Sequence, residues 1–343
     1  MPYRRFLTGA VLSCLALLCV GGLFAAKKKK TEDMTQTLAL PKEPPQVAVG
    51  ETRRLVFHVS PLSGKGPLAQ QTRDALRALL RLNGGLPVIH IRAFVAGSGD
   101  VRRVPQLVSE VFGDKRGSLP SVSVVRAGGL PAENAQVVLE SISVAKRDLS
   151  SSGLDFIATE PVTAPDPLSS AKPLLLKALD QLAEKLNGQS ALAVSCFVSN
   201  LSDAPELTSA VIARFPGAAA NIVQTQRGPG QALAICEAVA RGNKATAEKL
   251  AFSGTRVAFG SEEKDAALSF QRLDRDLSSA GASAANLVLT HIYPLSASTG
   301  IMSRKLLLAT RPGNTSPITV IPFEGLAAID AGFALDAIAA VSQ

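Results

Sequence analysis

The sequence has no tryptophan and only two tyrosines, Tyr3 and Tyr293, among its 343 residues. Proteins that bind single-stranded nucleic acid stack bases on aromatic side chains, so this scarcity argues against such a surface. The formal net charge of +8 points the other way, but six lysines and arginines lie in residues 1–30, which contain no acid. The rest of the chain has 30 basic and 28 acidic residues, so we expect no nucleic-acid partner.

Histidine is also scarce, with only His58, His90 and His291. No two of them stand at metal-ligand spacing, and each lies in an apolar run typical of a strand, so we expect structural histidines. The stretch QRGPG at residues 226–230 lacks the Gly-x-x-x-x-Gly-Lys pattern of a phosphate-binding loop. The sequence therefore predicts neither a metal site nor a cofactor.

A long uncharged run near the N-terminus bears on localisation. Residues 6–26 contain no charged side chain and are numerous enough to span a bilayer, so residues 1–30 are either a membrane anchor or a cleaved signal peptide. Four lysines at residues 27–30 favour the cytoplasmic side, which leaves the side of the membrane open. We expect a cell-envelope protein, in which residues 31–52 form a polar, proline-containing linker.

What the sequence does contain is a threefold repeat. Three apolar runs, VVLESISVA, ALAICEAVA and FALDAIAA, each carry one acid: Glu140, Glu237 and Asp336. The first two acids are 97 residues apart and the last two are 99 apart, a period typical of tandem structural units. We place unit 1 at residues 53–148, unit 2 at residues 153–243 and unit 3 at residues 248–343.

Each unit predicts the element order β-α-β-α-β-β. The units open with short apolar segments, LVFHV, LDFIA and LAFSG, followed by two helical patterns between strand-like runs. This order predicts an α+β fold, in which a mixed sheet carries two helices on one face. Short linkers make association of the units intramolecular, so we expect a monomer that folds as a pseudo-trimer. Three separate domains on a string are the alternative.

The units resemble the RidA (YjgF) family of enamine and imine deaminases. Unit 3 carries the likeness in LAFSGTRVAF, AGASAANLVLTHIYPL and ALDAIA. NIVQTQRGPGQALAICEAVA in unit 2 and SVSVVRAGGLPAENAQVVLESISVA in unit 1 resemble the final hairpin of the family. That family forms homotrimers with clefts between neighbours, so the resemblance implies three chorismate-mutase-like units packed as a pseudo-trimer.

The resemblance also implies a chemistry. The family uses a final-strand glutamate with water, and an arginine at the start of the preceding strand clamps the substrate carboxylate. The glutamate corresponds to Glu140, Glu237 and the shorter Asp336, which are the catalytic candidates. The arginine has no counterpart; its positions are Ser121 or Val122, about Ala220, and Thr315 or Ser316. Without a bidentate guanidinium, recognition of a substrate carboxylate is in doubt in all three clefts.

The acids lie on the apolar faces of their strands. Glu237, for example, shares its face with Ile235, because strand side chains alternate. Burial is expected to raise the pKa of such a carboxyl group toward the range useful for proton transfer unless it is paired. The acids are therefore either catalytic or structural, tying neighbouring units together. When the three units are aligned, Arg92, Ser195 and His291 occupy equivalent positions, so the clefts need not share a basic group.

Two functions remain open. The missing arginines favour a divergent protein that binds small metabolites or a partner protein in clefts between units, without deaminase activity. The retained acids favour an active deaminase, which is a hydrolase of imines or enamines. An arginine from elsewhere, such as Arg126, Arg227 or Arg256, within about 4–6 Å of an acid would discriminate between them.

Two cysteines, Cys196 and Cys236, lie on two predicted strands of unit 2. In an exported protein they could form a disulfide. Two buried, unpaired cysteines are the simpler interpretation, and the one we expect.

Overall fold

The computed structural model describes residues 42–113, 118–151, 153–227, 230–242 and 247–342. Within these ranges the fold is mixed α+β, with six helices and three β-sheets. The leader predicted at residues 1–30 lies outside the described residues. Among the residues described, we find no helix with the length and apolar character needed to cross a membrane.

The elements repeat the predicted order three times. Before the first repeat lie β1 (Val47–Glu51) and a 3-10 helix (Thr52–Arg54). Unit 1 contains β2 (Leu55–Val59), α1 (Leu68–Leu82), β3 (Val88–Val95), α2 (Arg103–Gly113), β4 (Ser121–Arg126) and β5 (Val137–Val144). Unit 2 contains β6 (Leu154–Ala158), β7 (Val162–Ala164), α3 (Ala171–Leu186), β8 (Ala191–Val198), α4 (Ala204–Arg214), β9 (Ala219–Gln224) and β10 (Ala232–Arg241). Unit 3 contains β11 (Lys249–Ser253), β12 (Arg256–Phe259), α5 (Glu263–Ser279), β13 (Ala282–Pro294), α6 (Ala297–Thr310), β14 (Ile318–Val320) and β15 (Ala331–Val341).

All three sheets share one strand order. The orders are β2-β5-β3-β4 in unit 1, β6-β10-β8-β9 in unit 2 and β11-β15-β13-β14 in unit 3. The last two strands of each order run parallel, and the other neighbours run antiparallel. The extra strands β7 and β12 pair with β10 and β15. Each acid-bearing strand is therefore internal to its sheet.

Helices cover one face of each sheet, and the other faces meet in the interior. In unit 1, Leu76 of α1 packs with Leu139 of β5, in a core formed mainly within that unit. Units 2 and 3 have equivalent cores under their own helices. A further cluster joins Phe94, Phe197 and Tyr293, one from each unit. The three sheets therefore pack around a shared axis.

β1 departs from the predicted linker. It pairs antiparallel with β11, with Val47 opposite Ser253 and Glu51 opposite Lys249, and so extends the sheet of unit 3. The linker prediction is wrong for these five residues, because a free sheet edge offers backbone partners that local composition does not reveal. The chain connects unit 1 to unit 2 and unit 2 to unit 3. Because β1 directly precedes unit 1 and pairs with β11, it also connects unit 3 to unit 1.

Cys196 of β8 and Cys236 of β10 form a disulfide. The two residues stand directly opposite each other in the sheet, with 4.2 Å between their Cα atoms. The expectation of unpaired cysteines is wrong, because the pairing depends on strand register.

The pairing of β1 predicts a difference between two proline substitutions. Gly254 N–H donates to the carbonyl of Gln46, and Thr52 N–H donates to that of Glu248. Antiparallel alternation then turns the N–H of Ala48 toward β11 and that of Val49 away. We expect Ala48→Pro to lower the free energy of unfolding by roughly 1–3 kcal/mol, because it removes a ladder hydrogen bond.

Val49→Pro is the matched control, since it places the same ring in the same strand with the N–H facing outward. Thermal or urea unfolding of the two full-length variants checks the prediction. Equal stability losses in both would show that the pairing of β1 does not matter.

Candidate functional site

The three predicted acids meet in the shared interior, not in three separate clefts. In each sheet the acid is the cross-strand partner of one of the three residues that are equivalent in the aligned units. Glu140 pairs with Arg92, Glu237 with Ser195, and Asp336 with His291. We call these six residues, with Asn221 and Tyr293, the polar cluster. Ion pairs and hydrogen bonds within it cross from one unit to another.

Arg92 joins the three units through its guanidinium. Its Nε donates to Glu140 over 2.7 Å, and its Nη2 donates to Glu237 of unit 2 over 2.5 Å. Its Nη1 lies 2.8 Å from Nε2 of His291 in unit 3. The guanidinium carbon also lies 5.2 and 5.8 Å from the ring centres of Phe94 and Phe197. Two of the three nitrogens donate to carboxylates and the third faces the ring of His291, so Arg92 is not free to clamp a substrate carboxylate.

His291 is held between two carboxylates. Its Nδ1 lies 2.5 Å from Oδ1 of Asp336, and its Nε2 lies 3.0 Å from Oε2 of Glu237. Burial lowers the pKa of His291, as does Arg92, but the two carboxylates outweigh both and raise it to about 9. The doubly protonated ring donates to both acids. Tyr293 donates its hydroxyl proton to the other oxygen of Asp336 over 2.9 Å.

Pairing reverses the expected effect of burial on two of the acids. Burial by itself raises the pKa of Glu237, but Arg92 and His291 outweigh it and lower the pKa to about 2. The pKa of Asp336 is lowered as well, because His291 opposes the effect of burial. The expectation of raised pKa values is therefore wrong for these two residues. Such carboxylates are poorly matched to general acid–base catalysis near neutral pH.

Glu140 differs from the other two acids. Its Oε1 accepts hydrogen bonds from Ser195 Oγ over 2.5 Å and from Asn221 Nδ2 over 2.7 Å, both in unit 2. Arg92 is its only cationic partner among the described residues. Its side chain is 16% exposed, against 7% and 5% for the other two acids. Glu140 is therefore the acid nearest to solvent, at the contact between units 1 and 2, which we call the 1–2 seam.

A cavity of about 80 Å³, here called the axial cavity, adjoins the polar cluster. Its walls repeat by unit. The third residue of each opening apolar segment, LVFHV, LDFIA and LAFSG, supplies an aromatic ring: Phe57, Phe156 and Phe252. The residue two positions after each acid supplies an aliphatic wall: Ile142, Val239 and Ile338. The cavity is thus apolar on its sides and charged where it meets the cluster.

A wider groove of about 690 Å³ opens at the 1–2 seam, between β2, the start of β9 and the end of α1. Phe57, His58 and Val59 line both the groove and the axial cavity, so the two adjoin. Ala220, where the resemblance places an arginine in unit 2, lines the groove. Arg81, an exposed residue of α1, lines it too.

The three arginines considered from the sequence lie elsewhere. Arg126 and Arg227 donate to backbone carbonyl groups, and Arg256 pairs with Asp276 of α5. Instead, Arg92 contacts two of the acids. The sequence alignment of the units places Arg92 at the position equivalent to Ser195 and His291, but it indicates no function for this arginine. The signal that could have identified Arg92 is a charged residue inside an apolar strand, on the sheet face that also carries the acid.

Of the other two histidines, His90 lies with Nδ1 2.9 Å from Ser121 Oγ, and burial lowers its pKa to about 4. Burial also lowers the pKa of His58, whose Nδ1 has no hydrogen-bond partner among the described residues. Within the described ranges, no group of three or more His, Cys, Asp and Glu side chains is placed to hold a metal ion.

No protein-family model and no curated protein matches this sequence. Among solved structures, the chain is similar to a YjgF/YER057c/UK114 family member from Mycobacterium tuberculosis, with 19% identity, a TM-score of 0.26, and coverage of 27% of this chain and 79% of that one. A YjgF family protein from Neisseria meningitidis has 18% identity, a TM-score of 0.26, and coverage of 27% and 81%. A chorismatase has 12% identity, a TM-score of 0.26, and coverage of 83% and 98%. Nothing about activity follows from similarities of this size.

The shifted pKa values of His291 and His90 predict a stability maximum near pH 6.5, and the lowered pKa of His58 acts in the same direction as that of His90. The pKa of His291 is raised from 6.5 to about 9, so its stabilisation is complete below pH 6.5 and is lost as the pH rises through 9. The pKa of His90 is lowered to about 4, so its contribution is complete above pH 6.5 and is lost as the pH falls through 4. On the alkaline side we expect a loss of the order of 3 kcal/mol.

Urea unfolding of the full-length protein from pH 4 to pH 9.5 measures this profile. His291→Gln should flatten the alkaline side, and His90→Asn should reduce the slope of the acidic side above about pH 4.5, where His58 still contributes. Stability that continues to rise between pH 6.5 and 9 would contradict the assignment of a protonated His291.

Proposed function

We propose that this chain is a divergent RidA-like protein of the cell envelope that binds a small molecule at the 1–2 seam and lacks the standard deaminase activity. The observation that carries the proposal is the state of the polar cluster. Glu237 and Asp336 are paired with buried cations, and Arg92 donates to Glu140 and Glu237. These side chains hold the units together and are not available for imine hydrolysis.

The 1–2 seam supports a binding function. The axial cavity and the groove adjoin there, and Glu140 is the exposed member of the polar cluster. Binding pockets in proteins commonly have mostly apolar walls with a few convergent polar groups. The proposal assigns one binding site to one chain, which acts as a monomer with three RidA-like units and has no nucleic-acid partner.

Deaminase activity at the same seam is the alternative. Arg81 lines the groove with an exposed guanidinium, for which no hydrogen-bond partner is found among the described residues. It could meet a substrate carboxylate that the family arginine would otherwise bind. In that case Glu140, with its neutral donors Ser195 and Asn221, would handle the proton.

Placement in the cell envelope has two supports. The first is the uncharged run at residues 6–26, which would anchor the chain in a membrane if it is not cleaved. The second is the disulfide between Cys196 and Cys236, since disulfides persist mainly in oxidising compartments.

Ammonia release separates the two functions. With freshly generated imines of several amino acids, we expect the full-length protein to release ammonia no faster than buffer. If the alternative holds, the wild-type rate will exceed buffer, and Glu140→Gln will lower it by about 10²- to 10⁴-fold.

Arg81→Gln is the companion variant, because it removes the proposed clamp without touching the polar cluster. A wild-type rate well above buffer that falls in both variants would overturn the proposal and assign deaminase activity to the 1–2 seam.

Localisation is tested by fractionation and thiol alkylation. We expect full-length protein expressed with its leader to be in a membrane or exported fraction, with Cys196 and Cys236 resistant to alkylation in denaturant until a reductant is added. A Cys196→Ser/Cys236→Ser variant controls for the two leader cysteines. Full-length protein in the cytosol, with an intact N-terminus and every thiol alkylated, would refute the proposed location.

A further inference from the structure

Unit 2 places two alanines of neighbouring strands in the wall of the axial cavity. Ala193 of β8 stands where unit 1 has His90 and unit 3 has Leu289, each two residues before the strand residue that joins the polar cluster. Its neighbour in β9, Ala219, stands where unit 1 has Ser121. Two alanines therefore leave space at the 1–2 seam that larger side chains occupy in the other units.

The polar cluster carries an excess of negative charge. It contains three carboxylates but two cations, Arg92 and the protonated His291. Glu237 contacts both cations, and Asp336 contacts His291. Glu140 shares Arg92 with Glu237, and its other two partners are neutral donors. The least compensated carboxylate is therefore Glu140, which lines the cavity together with the other charged members of the cluster.

Arg92 does not reverse this polarity. Arg92 lines the cavity as well, as do His291 and the three acids, so the charged side chains at this wall are two cations and three carboxylates. The hydrogen bonds of Arg92 run to the acids within the cluster. A ligand in the cavity therefore meets a carboxylate whose charge is incompletely balanced.

The remaining walls suit a cation that carries carbon atoms. Phe57, Phe156 and Phe252 surround the cavity from three units, and the face of an aromatic ring attracts cations. Apolar walls also lower the local dielectric, which strengthens attraction to Glu140. An anion would meet a wall with one more carboxylate than cations, and a neutral molecule would gain no charge attraction.

We propose that the axial cavity binds a small organic cation, an alkylammonium of about five heavy atoms, with its nitrogen against Glu140 and its carbons among the three phenylalanine rings. The proposal rests on the function proposed above and names the class of ligand. Its size follows from the volume of about 80 Å³. At roughly 10–15 Å³ for each water, this space holds about five to eight waters, so an organic molecule of about five heavy atoms fits.

The test compares three probes of similar shape and different charge: tert-butylammonium, tert-butanol and isobutyrate. Calorimetric titration of the full-length protein at pH 6.5 and low salt measures each affinity. We expect tert-butylammonium to bind about tenfold more tightly than tert-butanol, and isobutyrate to bind most weakly.

Ala193→Leu is the site variant, because it introduces the leucine found at the equivalent position of unit 3 and changes no charge. It should abolish binding of tert-butylammonium. Ala285→Leu is its matched control, because it makes the same substitution at an exposed position of β13 that does not line the cavity, and it should retain binding. If Ala193→Leu does not fold, Ala193→Val is used, because valine fills less of the cavity. The comparison of the three probes on the wild type does not depend on either variant.

The outcomes separate the two proposals. Equal or tighter binding of tert-butanol or isobutyrate would overturn the cation assignment and leave the small-molecule function in place. Binding of tert-butylammonium that survives in a folded Ala193→Leu protein would overturn the assignment to this cavity. Failure of all three probes to bind the wild type would count against both proposals.

Discussion

The interior of this protein depends on the buried charge of Arg92. A guanidinium that is only 7% exposed is tolerated when paired carboxylates offset its loss of hydration. Arg92 finds them in two units, at Glu140 and Glu237, and it also contacts His291 of the third. Because both carboxylates come from internal strands of their sheets, these contacts hold the units in one relative orientation. Loss of the cation would leave buried carboxylates without compensation.

A single chain makes this arrangement possible. Three identical units around an axis would place three copies of each side chain there, and three adjacent arginines would repel one another strongly at low dielectric. Here the equivalent positions hold Arg92, Ser195 and His291, which are two cations and a hydroxyl. A backbone with one repeated strand order therefore carries an asymmetric set of charges. The same freedom gives unit 2 the small Ala193 at the edge of the cavity.

Pairing also decides what the acids can do. A carboxylate between two buried cations, such as Glu237, keeps its charge and serves as a structural acceptor. Glu140 has one cation and two neutral donors, and its side chain is partly exposed. The acid nearest to solvent therefore lies at the 1–2 seam, where the axial cavity and the groove adjoin. The three acids look alike in the sequence, and their neighbours make them different.

The sequence by itself determined the α+β class, the threefold period, the order of the elements and the strand face that carries each acid. These follow from local signals, since apolar periodicity and strand alternation extend over a few residues. Tertiary structure decided the disulfide, the pairing of β1 with β11, the roles of Asn221 and Tyr293, and the partners of Arg92. Such contacts join residues that are far apart in the chain, 40 residues for the disulfide and 199 for Arg92 with His291. The direction of the pKa shift of Glu237 also depends on such long-range contacts. The pattern of one strand predicts that Glu237 is buried, but the cations that outweigh the effect of burial, Arg92 and His291, lie in the other two units.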